Sequence, residues 1–514
     1  MLRTYLASSA ILAALSTLAP AQDIKLVAEG GSFPGFIKLS MGPSKVGNTG
    51  VFLISITKGP TPLSIVDPRD PRLLYVGTES LAQSPRGIFL PPKNMVTTPP
   101  LPVPNNKSFD GATIYWHGIQ LPGTKYLVGS LSNPTATRLA PKGTFRDRGA
   151  KLKTPRSFGE ILPTRDHRWM IAGGGQGGIL AQIALKSSEI YDVSSDSWVP
   201  GPDMKTEHSL NQATEMADGR WLITGGLDIQ NSPSNAAEIW DPQKMQFTTT
   251  ASMNEKRSGH RCYLLPNGKI LALGGYSLPG QGGNFLTILN STLDTTEIYD
   301  PKTAKWTKGP ILSSPRASLE CIWLPNGKLL ICGGVGWIVH PVFKVRIPNV
   351  FATCDVYDPK TNTISAGPTM ATPRAAYAHH DLGGGKFMLA GGGETISLTN
   401  PGTPTNKCEI YDSTANKWLA AAPMKELRAF GDMYSLGNGK YINMGGFKGD
   451  LVNSIGLITC EIYDAKTDTW AAGPNLPRAL ASYASFETPM GQIQIIGGQD
   501  SKKLASNYTF LFYR

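Results

Sequence analysis

Residues 257–306 read RSGHRCYLLPNGKILALGGYSLPGQGGNFLTILNSTLDTTEIYDPKTAKW. Four marks stand here in a fixed order: Arg257, an apolar run closing on Gly274-Gly275, the cluster Glu297 to Asp300, and Trp306 after a Pro-Lys-Thr turn. Leu265-Pro266-Asn267-Gly268-Lys269, set between two apolar runs, predicts a tight hairpin of type I′, whose two central residues both need positive φ. The glycine pair removes side chains where another piece of backbone must come close. Asp300-Pro301 predicts a type I turn, in which the Asp side chain accepts from the turn amides and Pro presets φ. Trp306 supplies bulky packing on the strand that follows. The stretch therefore predicts one antiparallel sheet of four strands.

The same marks recur along the chain. Apolar runs end in Gly-Gly at Gly174, Gly226, Gly275, Gly334, Gly392, Gly446 and Gly498, at spacings of 52, 49, 59, 58, 54 and 52 residues. The acidic-aromatic cluster follows six of them, from SEIYD at 188–192 to CEIYD at 460–464. Upstream of each pair stand Arg156, His208, Arg257, Arg316, Arg374, Arg428 and, across a two-residue insertion, Arg478. A four-stranded sheet with two apolar faces cannot bury both by itself, so such units must stack radially. The residues resemble the Kelch repeat: Arg before the first strand, Gly-Gly ending the second, Glu-x-Tyr-Asp on the third, Trp on the fourth. The resemblance covers about 145–514 and implies an all-β chain built around a seven-bladed Kelch-type β-propeller.

The seventh unit runs out of sequence after its third strand, NYTFLFYR at 507–514. Phe145 and Leu152 stand before Arg156 much as the fourth-strand aromatic and the Met or Leu stand before the other Arg marks. The expected division is therefore 1–21 as a signal peptide, 22–142 as a small β-sandwich, and 143–514 as the propeller. About 143–148 would supply the outer strand of the last blade. The sandwich is read from short apolar runs such as VFLISIT at 51–57 and ATIYWHGI at 112–119, separated by Gly and Pro clusters. The signal peptide is read from Arg3, an apolar run over about 5–18 and Ala19-Pro20-Ala21. It predicts a secreted or periplasmic protein.

Composition agrees with that architecture. With 56 Gly and 40 Pro in 514 residues and only 17% charged, turn formers are in excess and helix-face charges scarce. That excludes helical bundles and coiled coils. The net charge of +11 is spread along the chain. The densest basic stretch, 145–156, is read as a strand and connector, so no nucleic-acid partner is expected. After the leader, no apolar run is long enough for a membrane span. Six cysteines without a Cys-x-x-Cys pair weaken zinc and redox readings. Bridges between Cys321 and Cys332, or Cys332 and Cys354, stay open.

Residues common to every unit explain the fold, so function is sought where units differ. The loops between second and third strands share a face, and the two longest belong to the adjacent third and fourth units. They present Tyr276, Asn284, Phe285, Trp337, His340, Phe343, Lys344 and Arg346, aromatics and polar groups suited to a sugar or peptide surface. The recurring arginines are expected to pair within their own units. Four residues beyond each mark stand Glu160, Gln212, Arg261, Glu320, Ala378, Asp432 and Ser482, a mixed polar set near the axis. Glu320 and Asp432 join the candidate ligand-binding residues.

These features predict an exported binding or scaffold protein that recognises an extracellular carbohydrate or protein through its loop face. The alternative is an enzyme. Galactose-oxidase-like copper enzymes combine a Kelch propeller with an N-terminal sandwich, but use a Tyr-His pair and a Cys-linked Tyr. No Tyr-His dipeptide occurs in this sequence, so that ligand set does not carry over and no copper or other cofactor is expected. A sugar-acid epimerase would use arginines for a carboxylate and Glu320 or Asp432 as base.

Overall fold

Each Gly-Gly pair sits where two neighbouring units touch through their backbones. At Gly274 and Gly275 φ is +63° and +92°, and a Cβ on Gly274 would lie 2.3 Å from the Arg316 carbonyl oxygen of the next unit. The second glycine donates its N–H to the carbonyl at the next unit's Arg mark. Gly174 bonds His208, Gly226 bonds Arg257, Gly275 bonds Arg316, Gly334 bonds Arg374, Gly392 bonds Arg428 and Gly446 bonds Leu480. The seventh of these bonds runs from Gly498 back to Arg156, at 2.8 Å.

The units that these bonds join are visible in the computed structural model as seven four-stranded antiparallel sheets within residues 144–513. The described residues run from Lys25 to Arg514, except for 43–47, 77–85, 89–94, 122–127, 193–196, 279–283 and a scatter of shorter stretches. The leader read from residues 1–21 lies outside them. Sheets I to VI span 160–200, 212–249, 261–308, 320–366, 378–421 and 432–472 in simple strand order. Sheet VII takes Ala484–Glu487, Ile493–Ile496 and Thr509–Tyr513 and is completed by Thr144–Asp147. In that last pairing Thr144 faces Tyr513 and Phe145 faces Phe512, their rings 4.7 Å apart.

Seven apolar clusters lie between successive sheets. Leu271, Leu273 and Ile298 of sheet III, for example, pack on Leu319, Cys321 and Ile331 of sheet IV. The circle closes where Ile161, Ile171 and Trp198 of sheet I meet Phe486 and Ile496 of sheet VII. Third-strand aromatics pack at a tilt against fourth-strand ones, with Tyr299–Trp306, Tyr411–Trp418 and Tyr463–Trp470 ring centroids each 5.1 Å apart. Because neighbouring sheets share each cluster, no sheet has a core of its own.

Three local expectations need correction. In the Leu-Pro-Asn-Gly-Lys hairpins only Gly268 and Gly327 have positive φ. Leu265 N–H donates to Lys269 O, and Gly268 N–H to Leu265 O. This is a three-residue connection, a type I turn followed by a left-handed glycine, and Pro266 favours it by fixing φ near the value such a turn begins with. Asn438-Gly439 is the two-residue hairpin with both central φ positive. In unit VII the Arg position is filled by Leu480, whose carbonyl takes the inter-unit bond, while Arg478 lies outside on the Tyr508 ring at 4.2 Å. The seventh axial residue is accordingly Ala484, the first residue of its strand, and Ser482 lies two residues before it. All six cysteines are buried free thiols, with Cys332 and Cys354 directly opposite on paired strands.

Upstream, two further four-stranded sheets contain Lys25–Gly30 with Gly35–Gly42, and Thr49–Ser55 with Thr113–Leu121. Leu26, Leu39, Phe52 and Trp116 from the two sheets share one core. The chain passes from there directly into the outer strand of sheet VII. An Arg146–Asp110 ion pair of 2.6 Å and a bond from Gly143 N–H to Tyr513 O fasten the junction.

Candidate functional site

The recurring arginines are structural. Arg156, Arg257, Arg316, Arg374 and Arg428 are buried. Each donates Nη1 to the carbonyl of the first glycine of its own Gly-Gly pair, at 2.6–3.0 Å. Each also faces the acidic residue of its own third strand, Glu189, Glu297, Asp355, Glu409 or Glu461. In unit II His208 replaces Arg, with Nδ1 on Gly225 O and Nε2 on Glu238. The carboxylates in turn accept backbone N–H groups of the connector that leads into the first strand, as Glu409 does from Ala371 and Thr372. Fully buried and tied through their terminal nitrogens to their own units, these residues are closed off from a ligand.

Two cavities lie on the axis. Both are lined by Leu210, Gly259, Ser318, Ala376 and Phe430, so they meet at this ring of residues. These five, with Phe158 and Ser482, all have φ between +52° and +62°. Their backbones are linked around the axis: Gly259 N–H donates to Leu210 O, Ser318 to Gly259, Ala376 to Ser318 and Phe430 to Ala376, at 2.9–3.1 Å. The left-handed conformation turns each chain inward before its first strand starts.

On the loop side the ring floors an apolar bowl of about 140 Å3. The helix Phe285–Asn290 in the loop of sheet III, the loop 393–404 of sheet V, and Phe447 form much of its wall. Val335 and Val350, at the base of a hairpin from sheet IV, also line it. That hairpin pairs Val335–Val339 with Arg346–Val350 and puts Trp337 opposite Pro348.

The eight loop residues expected to form one wall do three different jobs. Tyr276 and Phe285 line the bowl, and burial pushes the Tyr276 hydroxyl up to about 12. Asn284, Trp337 and Arg346 hold the wall together. Asn284 accepts from Leu286 N–H at the start of the helix. The Arg346 guanidinium lies 3.8 Å over the Trp337 ring, and its Nη1 donates to Asn290 O at the end of the helix. His340, Phe343 and Lys344 form the hairpin tip, where His340 Nδ1 accepts from the Val342 and Phe343 amides. Val342 and Phe343 are each 73% exposed, and Ile338, Val339 and Val345 are exposed beside them. Sequence reasoning missed the bowl's far side, Ile396, Pro401 and Pro404 from sheet V, because the loop of that unit is shorter than the two long loops of units III and IV on which attention fell.

Glu320 and Asp432 lie elsewhere, in the second cavity, an axial channel of about 370 Å3 beyond the ring. Glu320 is held by Arg261 of sheet III, Nε to Oε2 at 3.1 Å, with a second bond from Nη2 to Oε1. Burial works to raise the Glu320 carboxyl, but the Arg261 charge overrides it and leaves it below its ordinary range. Burial raises Asp432, against the pull of the Ser485 hydroxyl that donates to its Oδ2 at 2.6 Å. Glu160 is pushed up to about 7 by burial, with the Arg261 charge opposing. Among the described residues no group of three or more His, Cys, Asp or Glu side chains is arranged to hold a metal ion.

Residues 261–313 match the Kelch motif. Kelch-like protein 36 of Mus musculus is 22% identical over 317 residues, covering 60% of this chain and 47% of that protein. The chain thus spans about half the length of that relative. Galactose oxidase of Gibberella zeae is 32% identical over 77 residues, 15% of this chain and 11% of the enzyme. Among solved structures, a fungal alcohol oxidase of the AA5 family in complex with copper superposes with a TM-score of 0.53 at 17% identity, covering 72% of this chain and 76% of the enzyme. At that identity the likeness speaks for the fold alone. No helix among the described residues is long and apolar enough to cross a membrane.

Proposed function

The chain is a Kelch-repeat propeller, and from that premise we propose that it is an exported scaffold whose loop face docks an extracellular protein. One observation carries this reading. The hairpin whose base lines the apolar bowl puts Ile338, Val339, Val342, Phe343 and Val345 in water. Exposed apolar groups of this extent on a folded surface mark a contact site. A protein partner gains by covering them, and the basic tip residue Lys344 adds a charge for it to match. A carbohydrate partner is less well served, since it needs an open aromatic face and Arg346 already covers one face of Trp337.

Peptides selected from a random display library on the intact protein test this reading, with a glycan array run in parallel. The expected result is a set of apolar, acid-containing peptides that bind at least about tenfold more weakly to Val342→Ser/Phe343→Ser. Peptides indifferent to that double variant, or saturable glycan binding that survives it, would overturn the assignment. An unchanged melting temperature in the variant separates lost contact from lost fold.

A further inference from the structure

The axial channel holds chemistry that a partner on the loop face leaves unused. Its volume of about 370 Å3 is in the range of small-molecule sites. Four carboxylates line it: Glu160, Glu320, Asp432 and Glu487. Glu320 is bound by Arg261, and Glu487 by Arg514. The other basic side chains on the wall are His379 and His380, and His380 Nδ1 already bonds Asp381 O. Glu160 and Asp432 thus stand in a walled channel without an ion-pair partner of their own among the described residues.

A second, independent observation points the same way. Asn211 Oδ1 and Ser482 Oγ are buried without a hydrogen-bond partner, in residues only 3% and 7% exposed, and both residues line this channel. A buried polar atom left unpaired forfeits its hydration without replacement, so native proteins rarely leave one without a reason. Two carboxylates, an amide oxygen and a hydroxyl make a wall rich in acceptors. The group that answers such a wall is a donor-only cation, and an ammonium carries three donors and no acceptor. The acids do not converge as ligands of a single metal ion, which favours a cation with an organic body that spans the channel.

We propose that the axial channel binds a small organic amine, its ammonium group held by the carboxylates of Glu160 and Asp432 and its polar body by Asn211 and Ser482. The site stands apart from the loop-face contact, because the two cavities meet only at the ring of left-handed residues.

Calorimetric titration of the full chain with matched pairs tests the proposal: glucosamine against glucose, and 1,5-diaminopentane against pentane-1,5-diol. At least one amine is expected to bind about tenfold or more tightly than its hydroxyl counterpart, a difference of roughly 1.4 kcal/mol. Glu160→Gln and Asp432→Asn should each cost about as much again, while Val342→Ser/Phe343→Ser leaves amine binding unchanged. Equal binding within both pairs, no heat from either amine, or wild-type affinity in both carboxylate variants would overturn it. So would saturation by CaCl2 or MnCl2 that excludes the amine, since the site would then belong to a metal ion. If a variant melts early, the comparison within each pair on the unaltered protein still decides.

Discussion

Sheets I to VI and sheet VII make the same backbone contact with different chemistry. In sheets I and III to VI an arginine and an acid are buried together beneath the Gly-Gly pair, and in sheet II His208 and Glu238 take their places. In sheet VII the two positions hold Leu480 and Phe510, both fully buried and in one apolar cluster. The carbonyl of Leu480 still accepts the bond from Gly446 N–H, as the carbonyl of Arg428 does from Gly392 N–H. The ring therefore needs a filled volume at this position rather than a charge. What the ion pair adds is a hold on the connector, since each acid of sheets I, II, III, V and VI accepts two of that connector's amides. Sheet VII has no such acid, and its connection is secured instead by an outer strand drawn from far upstream.

That contrast can be broken most severely at the strand itself. Removing residues 143–153 takes away Phe145 and Leu152, both buried, and leaves sheet VII with a bare edge. The expected loss is on the order of 5 kcal/mol or more, since deletion of one buried Phe side chain alone costs about 3–5. Chemical denaturation reads it directly, and an unchanged midpoint would refute the role given to the strand.

A smaller effect is expected at Arg428. Arg428→Ala leaves Glu461 charged and buried, at a cost of about 3–5 kcal/mol. Transplanting the pair of sheet VII with Arg428→Leu/Glu461→Phe should recover most of that, because buried ion pairs and apolar pairs of similar volume are nearly interchangeable in stability. A double variant no better than Arg428→Ala would mean that the hold on the connector, rather than the filled volume, is what matters.

The smallest change concerns the ring of left-handed residues, where unit III carries Gly259 and unit V carries Ala376. Ala376→Gly should stabilise by about 1 kcal/mol, the approximate cost of this backbone conformation to a residue with a Cβ. A rise of a degree or two in melting temperature would register it. A fall would show that the Ala376 methyl packs favourably enough to offset the strain.

The order of strands was legible because its signals are local. A Gly-Gly pair, an Asp turn and an aromatic at fixed spacing each act on their own neighbours. Arg478 misled because residue type matched while position did not, and the apolar Leu480 offered no mark to correct it. The left-handed ring was silent, because Phe, Leu, Gly, Ser and Ala share that backbone and only glycine advertises it. The loop residues separated into lining, buttress and tip through contacts such as Arg346 on Trp337, which depend on how two loops fold against each other. Asn211 and Glu160 went unremarked as ligand groups because their meaning lies in the cavity they share with Asp432, across three sheets.

Closure of the circle by an upstream strand is open to direct covalent measurement. Arg146 and Leu511 face each other on the paired strands, at a separation that cross-strand neighbours can bridge through a disulfide. In the variant Arg146→Cys/Leu511→Cys, mild oxidation of the native protein should join the two peptides nearly completely, as read by mass spectrometry after digestion. Linkage that forms only after unfolding, or a native protein in which both thiols remain free, would contradict the closed ring.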